Sequence, residues 1–190
     1  AARLQLPPIM NGSLLFPIVS GEHGTPLGVM ALIIPTSTIQ PDPELRIGNT
    51  DQMMTVTLGT DYLPVLDSPT ANAQGRVIFV GYGIVDPTHG IDDYAGVDVT
   101  NRIVLFLRGK PDHYPKSVSH ADKVRFARDR GALAYLTATG PILNPYETRR
   151  GVTGKPSAFY GQLPPDQAIP GAWISTALAE QILATPSDAD

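Results

Sequence analysis

The sequence predicts a mixed α/β domain, and three observations carry that reading. Residues 77–80 (Val-Ile-Phe-Val) and 103–107 (Ile-Val-Leu-Phe-Leu) are short unbroken apolar runs rich in β-branched and aromatic side chains. That is the pattern of strands buried on both faces, and neither run is long enough for a core helix. Residues 119–130 carry both the start and the stop of a helix. Ser119 with Asp122 three positions on is a variant of the capping box, in which hydroxyl and carboxylate satisfy N–H groups that the first turn leaves free. Ala121, Val124 and Ala127 share a face, Arg128 and Arg130 suit the negative end of the helix dipole, and Gly131 can supply a left-handed exit. Residues 132–136 then return as a strand, so 103–107 and 132–136 should lie parallel across a right-handed βαβ crossover. Patterning alone supports α/β or α+β with this unit.

The remaining elements follow in order. Residues 1–10 are mixed, and Pro7-Pro8 stops any helix there. Residues 13–19 and 29–34 read as a strand pair joined near Gly21-Glu22-His23-Gly24. Residues 36–44, with Pro41 and Pro43, read as loop, and 54–58 as a strand by β-propensity. Asp61-Tyr62-Leu63-Pro64-Val65 leads through a further loop, exposed over 67–75, into the first apolar run. Residues 81–101 concentrate Gly, Asp and Pro, which tolerate positive φ, cap their own backbone or fix a turn, so this loop should be ordered and elaborate. An irregular connection, 109–118, precedes the helix. Residues 139–170 carry Pro141, Pro145, Pro156, Pro164, Pro165 and Pro170, too broken for regular structure except a short strand near 157–160. Loops of that length are usually functional or mobile. Residues 172–174 form a short strand, and Ser175 caps a last helix, to Leu183, whose Leu178 and Ile182 share a face. Residues 186–190 should fray. There is no internal repeat, heptad or low-complexity tract.

Composition bounds the function. At 190 residues the chain is expected to form one structural domain, burying roughly 70% of the unfolded surface. Within it, residues 1–60 are expected as strands and loops packed on or extending the body formed by 61–190. The net charge of -4 and the lack of a basic run argue against nucleic acid or an anionic membrane as partner. With no cysteine there is no disulfide, thiolate zinc site or cysteine nucleophile. No apolar run approaches the roughly 18 residues of a membrane span, and no signal-peptide pattern opens the chain. Ala1 stands where an initiator Met would, so a piece of a longer protein is expected.

Three segments carry a resemblance to a known family. Phe79-Val80-Gly81-Tyr82-Gly83-Ile84, Asp92-Asp93-Tyr94-Ala95-Gly96-Val97-Asp98-Val99 and Arg102-Ile103-Val104-Leu105-Phe106-Leu107-Arg108-Gly109 resemble the central signature of a protease-associated (PA) domain, of the variety inserted in M28-family zinc aminopeptidases. The likeness continues through 123–136 and 170–183, while the opening segment is similar only in outline. Where that family usually has Gly-Lys, this chain has Asn101-Arg102. The resemblance implies the swivelling β/β/α PA fold. It implies an accessory module of a zinc-dependent aminopeptidase, not catalytic by itself, that shapes substrate access or mediates protein contacts. Its partners would be the catalytic peptidase domain of the same chain and a peptide or protein substrate. The zinc is expected in the parent's catalytic domain, with no cofactor in this segment, and the compartment would be periplasmic or extracellular. A stand-alone interaction module, as in receptor-like relatives, and a small-ligand-binding domain are the alternatives.

No residue is assigned to catalysis, cofactor or metal. His120-Ala121-Asp122 has the His-x-Asp form of a zinc motif. It opens an amphipathic helix, however, where residues two apart point in different directions, and no Glu-Glu pair or later His completes a set. His89 with Asp92, Asp93 and Asp98 is oxygen-rich enough to suggest calcium, yet the spacing is not that of an EF-hand, and backbone-capping carboxylates are the expected reading. Gly81-Tyr82-Gly83 lacks the third glycine of a dinucleotide fingerprint, and Gly151-Val152-Thr153-Gly154 lacks the ending of a phosphate loop. No Gly-x-Ser-x-Gly elbow is present. Tyr146, Arg149, Arg150, Phe159 and Tyr160, on the long proline loop, form a candidate contact surface, since aromatics and Arg dominate interface hot spots.

Overall fold

A computed structural model describes residues 13–18, 30–37, 45–48, 53–65, 68–69, 71–140, 157–158 and 168–184. In chain order the strands are β1 (Ser13–Ile18), β2 (Met30–Ser37), β3 (Ile47–Gly48), β4 (Met53–Met54), β5 (Tyr62–Pro64), β6 (Val77–Phe79), β7 (Val85–Asp86), β8 (Ile91–Asp92) and β9 (Ile103–Leu107). Helix α1 (His120–Asp129), β10 (Ala134–Ala138), β11 (Ser157–Ala158), β12 (Gly171–Ile174) and helix α2 (Thr176–Ala184) follow. The fold is mixed α/β. Its main sheet has five strands in the order β5-β12-β10-β9-β6, parallel except for β5, which runs antiparallel to β12.

Val104, Leu105 and Phe106 of β9 have no exposed surface. Period-two alternation sends Val104 and Phe106 to one face of the sheet and Leu105 to the other. Val104 and Phe106 meet Val124 and Ala127 of α1, together with Val80, Tyr94, Val99 and Tyr135. Leu105 meets Leu136 and Ala138 of β10, Ile174 of β12, Leu178 and Ala179 of α2, and Ile47 and Tyr62. The two helices therefore cover opposite faces of the sheet, and β9 binds the layers together.

The βαβ unit forms as the patterning predicts, with β9 and β10 parallel from Ile103↔Ala134 to Leu107↔Ala138. Ser119 accepts the Asp122 N–H at 3.0 Å and donates to the Asp122 carboxylate at 2.7 Å, closing the first turn of α1. Gly131 exits at φ +83. The turn takes up residues 131–133, so the strand starts at Ala134 and not at Ala132. Ser175 caps α2 by accepting the Leu178 N–H at 3.0 Å.

Four expectations change. The run at 77–80 is not buried on both faces: β6 is the sheet's edge, and Phe79 is 41% exposed. Tyr62-Leu63-Pro64, given no element from the sequence, is the opposite edge strand, tolerating Pro64 because an edge leaves one side of the backbone unpaired. The strand expected over 54–58 shrinks to β4, paired with β3, and a single bridge between Leu58 and Tyr62. β2 continues through Pro35 to Ser37, pairing with β1 and, over its last two residues, with β11. The turn proposed at Gly21-Glu22-His23-Gly24 lies outside the described residues.

Candidate functional site

The signature loop between β6 and β9 is built by backbone geometry first. Gly81 and Gly83 adopt φ of +63 and +67, the left-handed region that glycine enters without penalty. A Cβ on Gly83 would also press on Phe106 at 3.2 Å, so this turn lies against the core of β9. The carboxylates that suggested calcium each hold backbone instead: Asp92 accepts the Tyr94 N–H at 3.0 Å, Asp93 the Ile84 N–H at 2.8 Å and Asp98 the Thr100 N–H at 2.9 Å. The Thr100 hydrogen bonds hold the Asp98 carboxyl below its usual range. Asn101 sits at φ +55, a conformation that Asn accepts more readily than other side-chain-bearing residues.

Asp86, not singled out by the sequence, is the centre of this loop. Its Oδ1 accepts the Thr88 hydroxyl at 2.5 Å and the Thr88 N–H at 3.1 Å. Its Oδ2 accepts the Tyr114 hydroxyl at 2.6 Å and Lys116 Nζ at 3.0 Å, and contacts His89 Nδ1 at 2.9 Å. Bonds from Thr88, Tyr114, Lys116 and His89 hold this carboxyl far below the ordinary carboxylate range, and the same bond pushes the Tyr114 phenol up to about 12. With five contacts, Asp86 has no oxygen site left for a ligand. It fastens the β7–β8 hairpin to the connection before α1.

His120 and Asp122 are not brought together. His120 lies in an aromatic cluster: stacked on Trp173 with ring centroids 5.6 Å apart, near Phe106 at 5.8 Å, and with Nε2 3.3 Å from the Tyr135 hydroxyl. Burial, aided by the charges of Lys123 and Arg108, pushes its pKa down to about 4. Asp122 is half-exposed and pairs with Arg125 at 2.7 Å. This geometry does not fit a shared zinc ion. No cluster of three or more His, Asp or Glu suited to a metal occurs among the described residues.

Beside the cluster, Lys123 is 2% exposed, donating to the Leu107 carbonyl at 2.9 Å and to that of Gly109. Its ammonium faces the rings of Tyr82 and Phe106 at 5.6 Å, and burial lowers its pKa to about 8. The sequence did not single out Lys123, because its reach to the carbonyls at the end of β9 follows only from the crossover. On the other face, a groove of about 640 Å³ opens at the carboxyl ends of β6, β9 and β10. Tyr146, Arg149, Arg150, Phe159 and Tyr160 lie outside the described residues.

No family model and no curated protein matches the chain. Among solved structures it is similar to an aminopeptidase from Aneurinibacillus sp. strain AM-1, at a TM-score of 0.44 and 22% identity over 74% of this chain. The chain spans 27% of the length of that aminopeptidase.

Proposed function

We propose that this chain is a PA-like accessory module of an M28-like zinc aminopeptidase, one that shapes substrate access or mediates protein contacts and does not itself hydrolyse peptides. The observation that carries the reading is the match between the PA signature and its architectural use. Gly81 and Gly83 make the left-handed turn, Asp92, Asp93 and Asp98 cap the loop, and 103–107 supplies the buried strand. A peptidase needs a metal or nucleophile and a general base within reach of one substrate atom. Among the described residues the most fully bonded carboxylate is saturated by protein donors, and the most deeply set histidine lies among aromatic rings. The parent's zinc, its catalytic domain and an exported location belong to the same proposal.

Aminopeptidase assays on the chain with added zinc, together with elemental analysis, test it. The expected outcome is no turnover above background and no stoichiometric zinc. Saturable, zinc-dependent turnover abolished by Asp122→Asn, a half-exposed position where the amide oxygen can still accept from Ser119, would overturn the reading.

A further inference from the structure

His120 stands where a positive charge is poorly accommodated. It is the first residue of α1, so its ring lies at the positive end of the helix dipole. The ring meets Trp173 of β12, Phe106 of β9 and Tyr135 of β10 at centroid distances of 5.6, 5.8 and 5.4 Å. Its polar contact is the Tyr135 hydroxyl, 3.3 Å from Nε2.

The charged groups around this ring are cations. From the end of β9, Arg108 lies over the Trp173 ring at 4.9 Å, and from the next turn of α1 the Lys123 ammonium lies 5.6 Å from the Phe106 ring. Two of the aromatic surfaces that could hold an imidazolium are thus already engaged by other cations. The neighbouring carboxylates are committed elsewhere: Asp122 to Ser119 and Arg125, and Asp93, from the loop before β9, to the Ile84 N–H. β12 offers the indole and β10 the phenol. A protonated His120 would be a third cation in this pocket, with no carboxylate among the described residues to pair it.

The first turn is also the part of α1 that has least to hold it. From Lys123 onward the helix is fixed by buried Lys123, Val124 and Ala127, and Lys123 donates to the carbonyls of Leu107 and Gly109. Ahead of that point Ser119 and Asp122 bond to each other, and the His120 ring ties the turn to the sheet. We propose that His120 is an acid-released latch: on protonation its ring leaves the pocket of Trp173, Tyr135 and Phe106, the first turn of α1 loosens, and the sheet with the rest of the helix stays folded. Outside the pocket the ring titrates near 6.5 and inside it at about 4, so protonation multiplies the open form by up to about 300-fold, and by about 30-fold at pH 5. The latch rests on the α1 face alone, so it and the accessory-module reading can fail separately.

Trp173 is the chain's single tryptophan, so acrylamide quenching of its fluorescence reads the pocket directly. As the 190-residue chain is taken from pH 7.5 to 4.5, quenching should rise and emission should move to longer wavelength, with the far-UV circular dichroism unchanged. In hydrogen exchange corrected for intrinsic rate, the Asp122 amide, held by Ser119 at 3.0 Å, should lose about 30-fold of its protection between pH 7.5 and 5, while β9 and β10 keep theirs. His120→Phe should abolish both changes, and His113→Gln, at an exposed position, should leave them in place. Should His120→Phe not fold, NMR titration of the wild-type His120 ring decides, because its proton uptake must coincide with the rise in quenching. Flat quenching over this range, a rise that coincides with loss of the far-UV signal, unchanged protection at Asp122, or a rise that survives in His120→Phe or runs apart from the His120 titration would each overturn the proposal.

Discussion

Asp86 and Gly171 hold the fold together by opposite means, one through many bonds and the other through an absent side chain. Replacing Asp86 by Asn keeps the shape but removes the charge that Lys116, Tyr114 and Thr88 share. We expect Asp86→Asn to lower the urea midpoint and to speed amide hydrogen exchange selectively in the β7–β8 hairpin and residues 110–116. Uniform exchange behaviour in wild type and variant would show that the carboxylate fastens nothing. At Gly171, paired with Tyr135 in the sheet, a Cβ would stand 2.1 Å from the tyrosine's Cζ. The ring therefore lies across the glycine, and Gly171→Ala must displace it from beside His120 and Phe106. Overpacking of this kind costs about 1 to 3 kcal/mol, measurable as a lower denaturation midpoint; an unchanged midpoint would mean that the ring can swing aside freely.

Among the elements, β9 carries the most, since it supplies buried side chains to both layers. Phe106→Ala should cost ~3 to 5 kcal/mol, enough to unfold much of the population of a marginal domain, and a midpoint unaffected by it would place the strand at the periphery. How far the elements were legible depended on the range of what defines them. α1 was readable because Ser119, Asp122 and Gly131 state its ends within a few residues of the helix itself, and the same holds for Ser175 at α2. β6 was misread as doubly buried because edge position is a property of strand order, which no local pattern contains. β5 was missed because Pro64 breaks a strand pattern everywhere except at an edge. In the candidate site the same division holds. The caps of Asp92 and Asp98 reach only two residues and follow from Asx-turn chemistry. The Asp86 cluster depends on partners 28 and 30 positions away, and the groove on Phe79 of β6 and Leu183 of α2, elements far apart in the chain.

Across the whole molecule, the buried titratable groups set a pH profile of stability whose sign can be worked out. His120 titrates at about 4 when folded, against an ordinary 6.5, so between these values the unfolded chain binds a proton that the folded chain refuses. The His120 penalty is therefore absent above pH 6.5, and stability falls as pH drops toward 4, by up to ~3 kcal/mol. Below that, Asp86 and Asp98, both held under their ordinary 3.8, add a further loss as the unfolded carboxylates take up protons first. On the alkaline side Lys123 acts with the same sign. Its folded value of about 8 lies below 10.5, so stability should rise with pH between the two as the burial penalty on its charge is relieved. The phenols of Tyr94, raised by burial, and Tyr114, raised by its bond to Asp86, reverse that rise above pH 10, where the unfolded chain ionises first. Urea denaturation at fixed ionic strength from pH 4 to 10 would trace both limbs. His120→Phe, which keeps an aromatic ring between Trp173 and Tyr135, should flatten the limb between pH 6.5 and 4 and leave the alkaline rise in place. Lys123→Met should do the reverse. If the acid limb survives in His120→Phe, protonation of the aromatic cluster is not what limits this fold in acid, and the loss must be assigned to carboxylates alone.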